Sequence, residues 1–384
     1  MNCCNVCAGA LGEPVYRSAG DRSFTTMNTP VGGRTEVHFC ARCGHLQTSE
    51  LPDLAHYYAK VYEINLASAE ADQLYQIVDG QPVYRADHQA RVLRAKVEFP
   101  PGCRVLDYGC AQAATLRKVV ATSPEIRPFL FDVTDKYVGY WERFPVPTQW
   151  ATHQVDPAWA AGMDVVLSFF AFEHIAGLER ALADIKALLK PGGTFYLVVP
   201  NVLGNAADFI VADHVNHFTP ASMRYLLAAN GFDAVEVDDE AHDAALVVTA
   251  RLAAAPVPRP PLPDAVELGA LAASARQMSA YWNEASARIR AFEADGDGPC
   301  AIYGAGFYGN FIAASLASPE RVDCFVDRNT HLHGQACWGR PVVAPDELPE
   351  NVRRVLVGVN PRAARGAIEA VEAWRGRGIS FFYL

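Results

Sequence analysis

Arg104–Leu116 reads RVLDYGCAQAATL. Val105 and Leu106 form a short apolar run that ends in Asp107-Tyr108-Gly109; small residues follow, and from Ala114 the pattern turns helical. Strand, tight turn and helix in that order make the first half of a βαβ unit, whose strands pair in parallel. The alternation continues to about Leu252, with PFLFDV, MDVVLSFF and TFYLVVPN as further strands rich in branched and aromatic residues. The stretch from Cys103 to about Leu252 is therefore predicted to be an α/β domain around a mostly parallel sheet.

The ends of those strands carry the ligand chemistry. Gly109 lets a ligand approach the backbone, and Ala111 and Ala113 keep the turn low. Asp107 is placed to orient the amino-acid end of an adenosyl cofactor, directly or through water. Asp132, closing PFLFDV, can accept both hydroxyls of a ribose. Phe170, at the end of MDVVLSFF, floors the same site, and ALLKPGG ends a helix before the next strand. The run DYGC, FD, FFAFEH, LLKPGG and VVPN, over residues 104–201, resembles the class I S-adenosylmethionine-dependent methyltransferases. One departure is plain: the Gly-x-Gly-x-Gly of that family appears here as Gly109, Ala111 and Ala113. Alanine is compatible with a negative φ and destabilising where φ must be positive. A non-catalytic module with a lapsed cofactor pocket is the alternative this leaves open.

Upstream, Cys4-x-x-Cys7 and Cys40-x-x-Cys43 place two pairs of thiols on tight turns, a pattern suited to a closed tetrahedral zinc cage with a structural role. Cys3, His38 and His45 are neighbouring rivals for ligation. No basic start followed by an apolar stretch occurs in the first thirty residues, so export is not expected. With the free thiols this predicts a reducing, cytoplasmic setting.

Downstream, PVPRPPLPD (Pro256–Asp264) is a stiff linker and a long helix is predicted over Ala265–Glu293. CAIYGAG, VDCFVD and RRVLVGVN then make a smaller α/β domain. Its Gly304-x-Gly306-x-x-Gly309 turn, with Asp327 ending the next strand, reads as a dinucleotide fingerprint. A NAD-dependent oxidoreductase is thus a rival reading, although no Tyr-Lys or Cys arrangement for hydride transfer lies nearby. The same turn can receive the pyrophosphate of a nucleotide-linked sugar at a helix N-terminus. The expected architecture is a zinc module (1–62), a class I methyltransferase (Rossmann-like) domain with preceding helices (63–255), and a linker, long helix and smaller Rossmann-like domain (256–384). Within it, a helical stretch is expected from about Glu63 to Val97, and Tyr57, Tyr58 and Tyr62, in the segment after the cysteine module, are candidates to cap the cleft.

The chain has 384 residues, 51% of them apolar, enough for several cores. A net charge of −10 argues against a nucleic acid held by a general basic surface. No apolar run is long enough to span a membrane. Oligomeric state is not legible.

The order of zinc module, methyltransferase domain and second α/β domain is similar to the sugar C-methyltransferases of deoxysugar biosynthesis. That resemblance implies S-adenosylmethionine as cofactor, structural zinc, a nucleotide-linked sugar as substrate, and an acidic-His pair in the active site. The matching positions are Asp213 and His214, ahead of Phe218-Thr219-Pro220, a good helix start in its own right. Asp213 is one methylene shorter than the usual Glu, and Val211 stands where a Tyr is common. His214 is the expected general base, removing a proton beside a keto group for C-methylation or from a hydroxyl for O-methylation. Asp213 is expected to orient or modulate it; His217 and His174, the latter in Glu173-His174, are the rivals for its role.

Overall fold

The computed structural model describes residues 3–51, 57, 74–78 and 81–384. The centre is a seven-stranded sheet. Its strands are β1 (Arg104–Tyr108), β2 (Arg127–Asp132), β3 (Gln149–Thr152), β4 (Met163–Phe169), β5 (Leu189–Pro200), β6 (Phe232–Asp238) and β7 (Ala245–Leu252). They lie in the order β3-β2-β1-β4-β5-β7-β6, parallel except for β7, which runs antiparallel to both neighbours. This is the Rossmann-like α/β sheet expected of the central domain. The order reverses between β1 and β4, so a crevice opens at their carboxyl ends.

Side chains alternate across the sheet with period two, and both faces are buried. Leu106, Phe129, Val166 and Phe195 face one core, shared with Leu182 and Ile185 of α3 (Leu178–Leu188). Val105, Leu130, Val165 and Tyr196 face the other, with Leu93 of α1 (Arg85–Lys96) and Leu116 and Val119 of α2 (Ala114–Val120). Helix α4 (Pro220–Ala229) starts as its sequence dictates: Thr219 accepts from the Ser222 amide, and Ser222 reaches back to the Thr219 amide.

The region before α1 differs from expectation. Within the predicted helix, Leu74–Val78 and Gln81–Tyr84 pair as an antiparallel hairpin, and helix begins only at Arg85. Tyr58 and Tyr62 lie outside the described residues.

The modules interlock. Tyr16–Arg17, Glu36–Phe39 and Leu46–Thr48 form a small sheet whose fourth strand, Asn216–His217, comes from the central domain. The long helix α5 (Ala265–Ala294), capped by the Asp264 carboxylate, packs Trp282 and Ile289 into a core with Tyr16, Phe24, Phe209 and Phe311. Beyond it lies a six-stranded sheet centred on Cys300–Tyr303, which is parallel to Val322–Val326 on one side and Arg354–Val357 on the other. Helix α6 (Phe307–Ser315) follows its glycine turn. Among the described residues, no helix is long and apolar enough to cross a membrane.

Candidate active site

At the β1–β4 crevice the two strand ends touch. Gly109 has φ +75°, and a Cβ there would lie 2.8 Å from the Cβ of Ala171, so glycine is required on both counts. Ala111 (φ 44°) and Ala113 (φ 54°) are also left-handed, as is Phe170 (φ 52°). The alanines thus occupy the conformation their sequence context disfavours, and strain of this kind collects at ligand sites. Asp132 braces the turn: its carboxylate accepts from the Ala111 amide at 2.9 Å. Burial raises its pKa. Asp107 is buried, and its Oδ1 has no hydrogen-bond partner among the described residues. Burial, followed by the nearby Asp132 charge, pushes its pKa up to about 8. An orphaned buried carboxylate at a strand end suits a cationic ligand group such as the ammonium of an amino acid. Arg85 stacks over the Phe170 ring at 4.0 Å, closing that side.

A second constellation gathers where the 208–217 segment meets the turn after β4. Asp208, fully buried, accepts from Nδ1 of His214 through one oxygen and from Nδ1 of His217, at 3.0 Å, through the other. His217 also hydrogen-bonds Thr48 Oγ1 at 2.8 Å through Nε2, so both ring nitrogens are engaged within the protein. The His174 ring lies 4.7 Å from that of His214, edge to face. Its Nδ1 donates to the Asp213 carbonyl at 2.9 Å. A carbonyl only accepts, so the neutral ring carries its proton on Nδ1.

The electrostatics separate these groups. Burial works against charge on His214, but the charge and hydrogen bond of Asp208, then Asp213 and Glu173, raise it to about 9. Burial, with the His214 charge, lowers His174 to about 4. Burial raises Glu173 to about 7 against the pull of His214, and its Oε2 has no partner among the described residues. Buried neighbours with pKa values driven apart mark an acid–base centre.

Asp213 acts on His214 through its charge and makes its hydrogen bonds elsewhere. Its carboxylate accepts from the Thr26 amide (2.8 Å), the Thr26 hydroxyl (2.6 Å) and the Tyr57 hydroxyl (2.9 Å). It clamps the amino-terminal module, and the residue that orients His214 is Asp208. Sequence reading missed Asp208; its spacing of six from His214, in a loop without periodicity, is no recognised signature.

Cys4, Cys7, Cys40 and Cys43 converge, all buried, with sulfurs 3.6 Å apart for Cys4–Cys43 and 3.5 Å for Cys7–Cys40. A tetrahedral centre with metal–sulfur bonds of about 2.3 Å needs sulfurs about 3.8 Å apart, so the quartet fits zinc. Cys3 is exposed, while His38 bonds the Gly12 carbonyl and His45 bonds Asn216. Asn216 also accepts from Asn5 and donates to the carbonyls of Phe172 and Ile175. One amide thus ties the cysteine knuckle to the turn bearing Glu173 and His174.

In the carboxy-terminal domain, a Cβ on Gly309 would lie 1.9 Å from the Gly304 carbonyl oxygen, so packing of helix on strand explains that glycine. Gly306, at the start of α6, has open space around it. Asp327 accepts from the Ala305 amide at 2.8 Å, as Asp132 does from Ala111.

Residues 84–237 match the family profile of a methyltransferase domain. This region is a class I, S-adenosylmethionine-dependent methyltransferase domain. Over 89 residues the chain is 33% identical to the C-methyltransferase NovU of Streptomyces niveus, a match covering 22% of this chain and 21% of that protein. The chain therefore aligns with about a fifth of that relative's length. A complex of the Haloferax volcanii Trm112 methyltransferase activator with a methyltransferase aligns at 20% identity and a TM-score of 0.38, over 43% of this chain and 89% of that one. The CurJ carbon methyltransferase aligns at 17% and 0.35, over 41% and 50%. At such scores neither likeness carries an argument about the methyltransferase domain. That assignment rests on the sequence match and agrees with the sheet.

Proposed function

We propose that the protein transfers a methyl group from S-adenosylmethionine to carbon in a nucleotide-linked keto sugar, with His214 as general base. The observation that carries this reading is the Asp208–His214 pair beside His174, at the same edge of the sheet as the Asp107–Gly109 crevice. The cofactor, when bound, supplies a methyl group on a sulfonium, an electrophile that needs no activation beyond a carbon nucleophile in line with it. Asp107 would meet its ammonium, Asp132 its ribose, and Gly109, Ala111, Ala113 and Phe170 would line its bed.

Asp208 holds the proton of His214 on Nδ1, which leaves Nε2 to take the acidic proton beside the substrate's keto group. The carbon–hydrogen electron pair would become the enolate that forms the new carbon–carbon bond, the donor's sulfur keeping the pair of the methyl–sulfur bond that breaks, and the proton would pass from His214 to solvent. A neighbouring carboxylate that raises the basicity of His214 favours abstraction from carbon. Zinc on the cysteine quartet would brace the Glu173–His174 turn through Asn216 and take no part in the chemistry.

Gly306 supports the nucleotide-linked acceptor: its neighbours, Gly304 and Gly309, have packing reasons for lacking a side chain, and it has none. An open amide-bearing turn at a helix start suits a pyrophosphate. The test is methyl transfer from labelled cofactor to a panel of nucleotide-linked keto sugars. His214→Ala should keep S-adenosylhomocysteine affinity and lose about 10²–10⁴ in turnover. Solvent deuterium entering the sugar without cofactor would favour carbon over oxygen methylation, since only the carbon route passes through an enolate.

His174 gives a second reading, because its neutral ring has Nε2 unprotonated. The pH profile separates the two. With His214 as base, kcat/KM rises with pH and levels off near 9; with His174 the rise falls near 4.

A further inference from the structure

The hairpin of Arg22–Phe24 and Pro30–Gly32 reaches from the cysteine module into the space between the two α/β domains. Its tip is closed by the Thr25 amide on the Thr29 carbonyl and the Asn28 amide on the Thr25 carbonyl. On one side Thr26 gives both its amide and its hydroxyl to Asp213, and the Ala212 amide donates to the Phe24 carbonyl. On the other side Asn28 Oδ1 accepts from Nδ2 of Asn310 at 3.1 Å. Asn310 is fully buried in α6, and the same Nδ2 reaches the carbonyls of Ala305 and Gly306 in the glycine turn. Its Oδ1 accepts from the Trp338 indole at 2.7 Å. Phe24 packs edge-on against Phe307 at 5.2 Å, so the hairpin is seated as well as hydrogen-bonded.

We infer that Asn28 and Asn310 are positioning residues that set the glycine turn at a fixed distance from the 208–217 segment, so that one nucleotide-linked acceptor engages both. The inference rests on the reading of the acceptor as nucleotide-linked. The buried Asp213 carboxylate and the buried Asn310 amide grip the tip from opposite sides, through Thr26 and Asn28. Asn28 itself is exposed, and without it Asn310 Nδ2 still reaches the Ala305 and Gly306 carbonyls, so losing the Asn28 contact uncouples the tip from the turn without stranding a buried group. A diphosphate on the Gly306 turn therefore restrains Asn310, then the tip, then Asp213. A sugar without its nucleotide gains nothing from this restraint.

Asn28 sits at φ 57°, a conformation glycine shares, so Asn28→Gly removes the side chain without straining the backbone. Asn28→Asp keeps an oxygen to accept from Asn310. The full zinc-loaded chain, saturated with S-adenosylhomocysteine, is titrated with adenosine, guanosine, cytidine, uridine and thymidine diphosphates. Hydrogen exchange is followed at residues 24–29 and 208–217. The wild type should bind at least one diphosphate and slow exchange in both segments. Asn28→Gly should bind it about tenfold more weakly and lose the added protection at 208–217, with zinc content, unfolding midpoint and cofactor affinity unchanged. Asn28→Asp should restore both effects. Wild-type affinity and protection in Asn28→Gly overturn the inference alone, the more so if Gly306→Val, whose side chain has room, weakens the diphosphate. Failure of every diphosphate to bind the wild type overturns the nucleotide-linked reading and the inference with it.

Discussion

At the scale of single residues, the cofactor turn is under strain that two substitutions should relieve. Ala111 and Ala113 hold positive φ, which costs an L-residue roughly 1–2 kcal/mol, partly offset by the entropy glycine loses on folding. Ala111→Gly and Ala113→Gly should each stabilise the protein by about 0.5–1 kcal/mol in denaturant melts. A loss of stability in both would contradict the left-handed geometry. The histidine pair makes a second prediction. His214 has a folded pKa raised above its unfolded value, so its contribution is complete below about 6.5 and is lost as pH rises through about 9. Stability should fall across that window, and Asp208→Asn should flatten the fall, lower turnover and move the pH–rate limb to lower pH. Histidine NMR titration would check the assignment. His214 was legible as a functional candidate through the family resemblance, in which an acidic-His pair precedes a helix start of this kind. Its partner was not: Asp208 reaches His214 and His217 through tertiary folding of a loop, and Asp213, the neighbour in sequence, is held by Thr26 and Tyr57.

At the scale of elements, the strands and the α4 start follow from local chemistry. Apolar branched runs have one comfortable home in a sheet buried on both faces, and Thr219-Pro220 caps a helix by itself. The hairpin before α1 stands where helix is expected from the sequence. Its signal is the Asp79-Gly80 dipeptide between LYQIV and QPVY, a pair that favours tight hairpin turns. The cysteine knuckle was legible from its paired spacing, whereas its link to the active-site turn was not, since Asn216 lies 171 residues from His45. That link is testable. Asn216→Ala would strand the carbonyls of Phe172 and Ile175, at about 1–3 kcal/mol for each group left buried without a partner. Turnover should fall while zinc content stays at one per chain by elemental analysis. Cys4→Ser should instead lose the metal and lower the unfolding midpoint, because the four cysteines share a core with Phe172 and Phe218. Full zinc retention in Cys4→Ser would remove Cys4 from the ligand set.

At the scale of the whole molecule, the cysteine-bearing segment, the central α/β sheet and the second α/β sheet interlock. The sheet of the cysteine module is completed by Asn216–His217, and one apolar cluster runs from Tyr16 through Phe209 to Phe311. Sequence periodicity reports which face of an element is apolar and says nothing of which module it meets, so the interlocking was invisible until the fold was in hand. What everything else depends on is the proposed placement of the cofactor at the β1–β4 crevice, and Asp107 gives the sharpest probe of it. This buried carboxylate has an oxygen without a partner among the described residues, and burial pushes its pKa up to about 8, which favours its protonated form at neutral pH without ligand. A bound ammonium would ionise it. Calorimetric titration with S-adenosylhomocysteine at pH 7, in buffers of different ionisation enthalpy, should show one site per chain with net proton release. In Asp107→Asn the release should vanish and affinity should fall by about 1.5–3 kcal/mol, the worth of a hydrogen bond to a charged group, with the unliganded protein no less stable. No binding in the wild type, or equal affinity in the variant, would contradict the placement of the cofactor in that crevice.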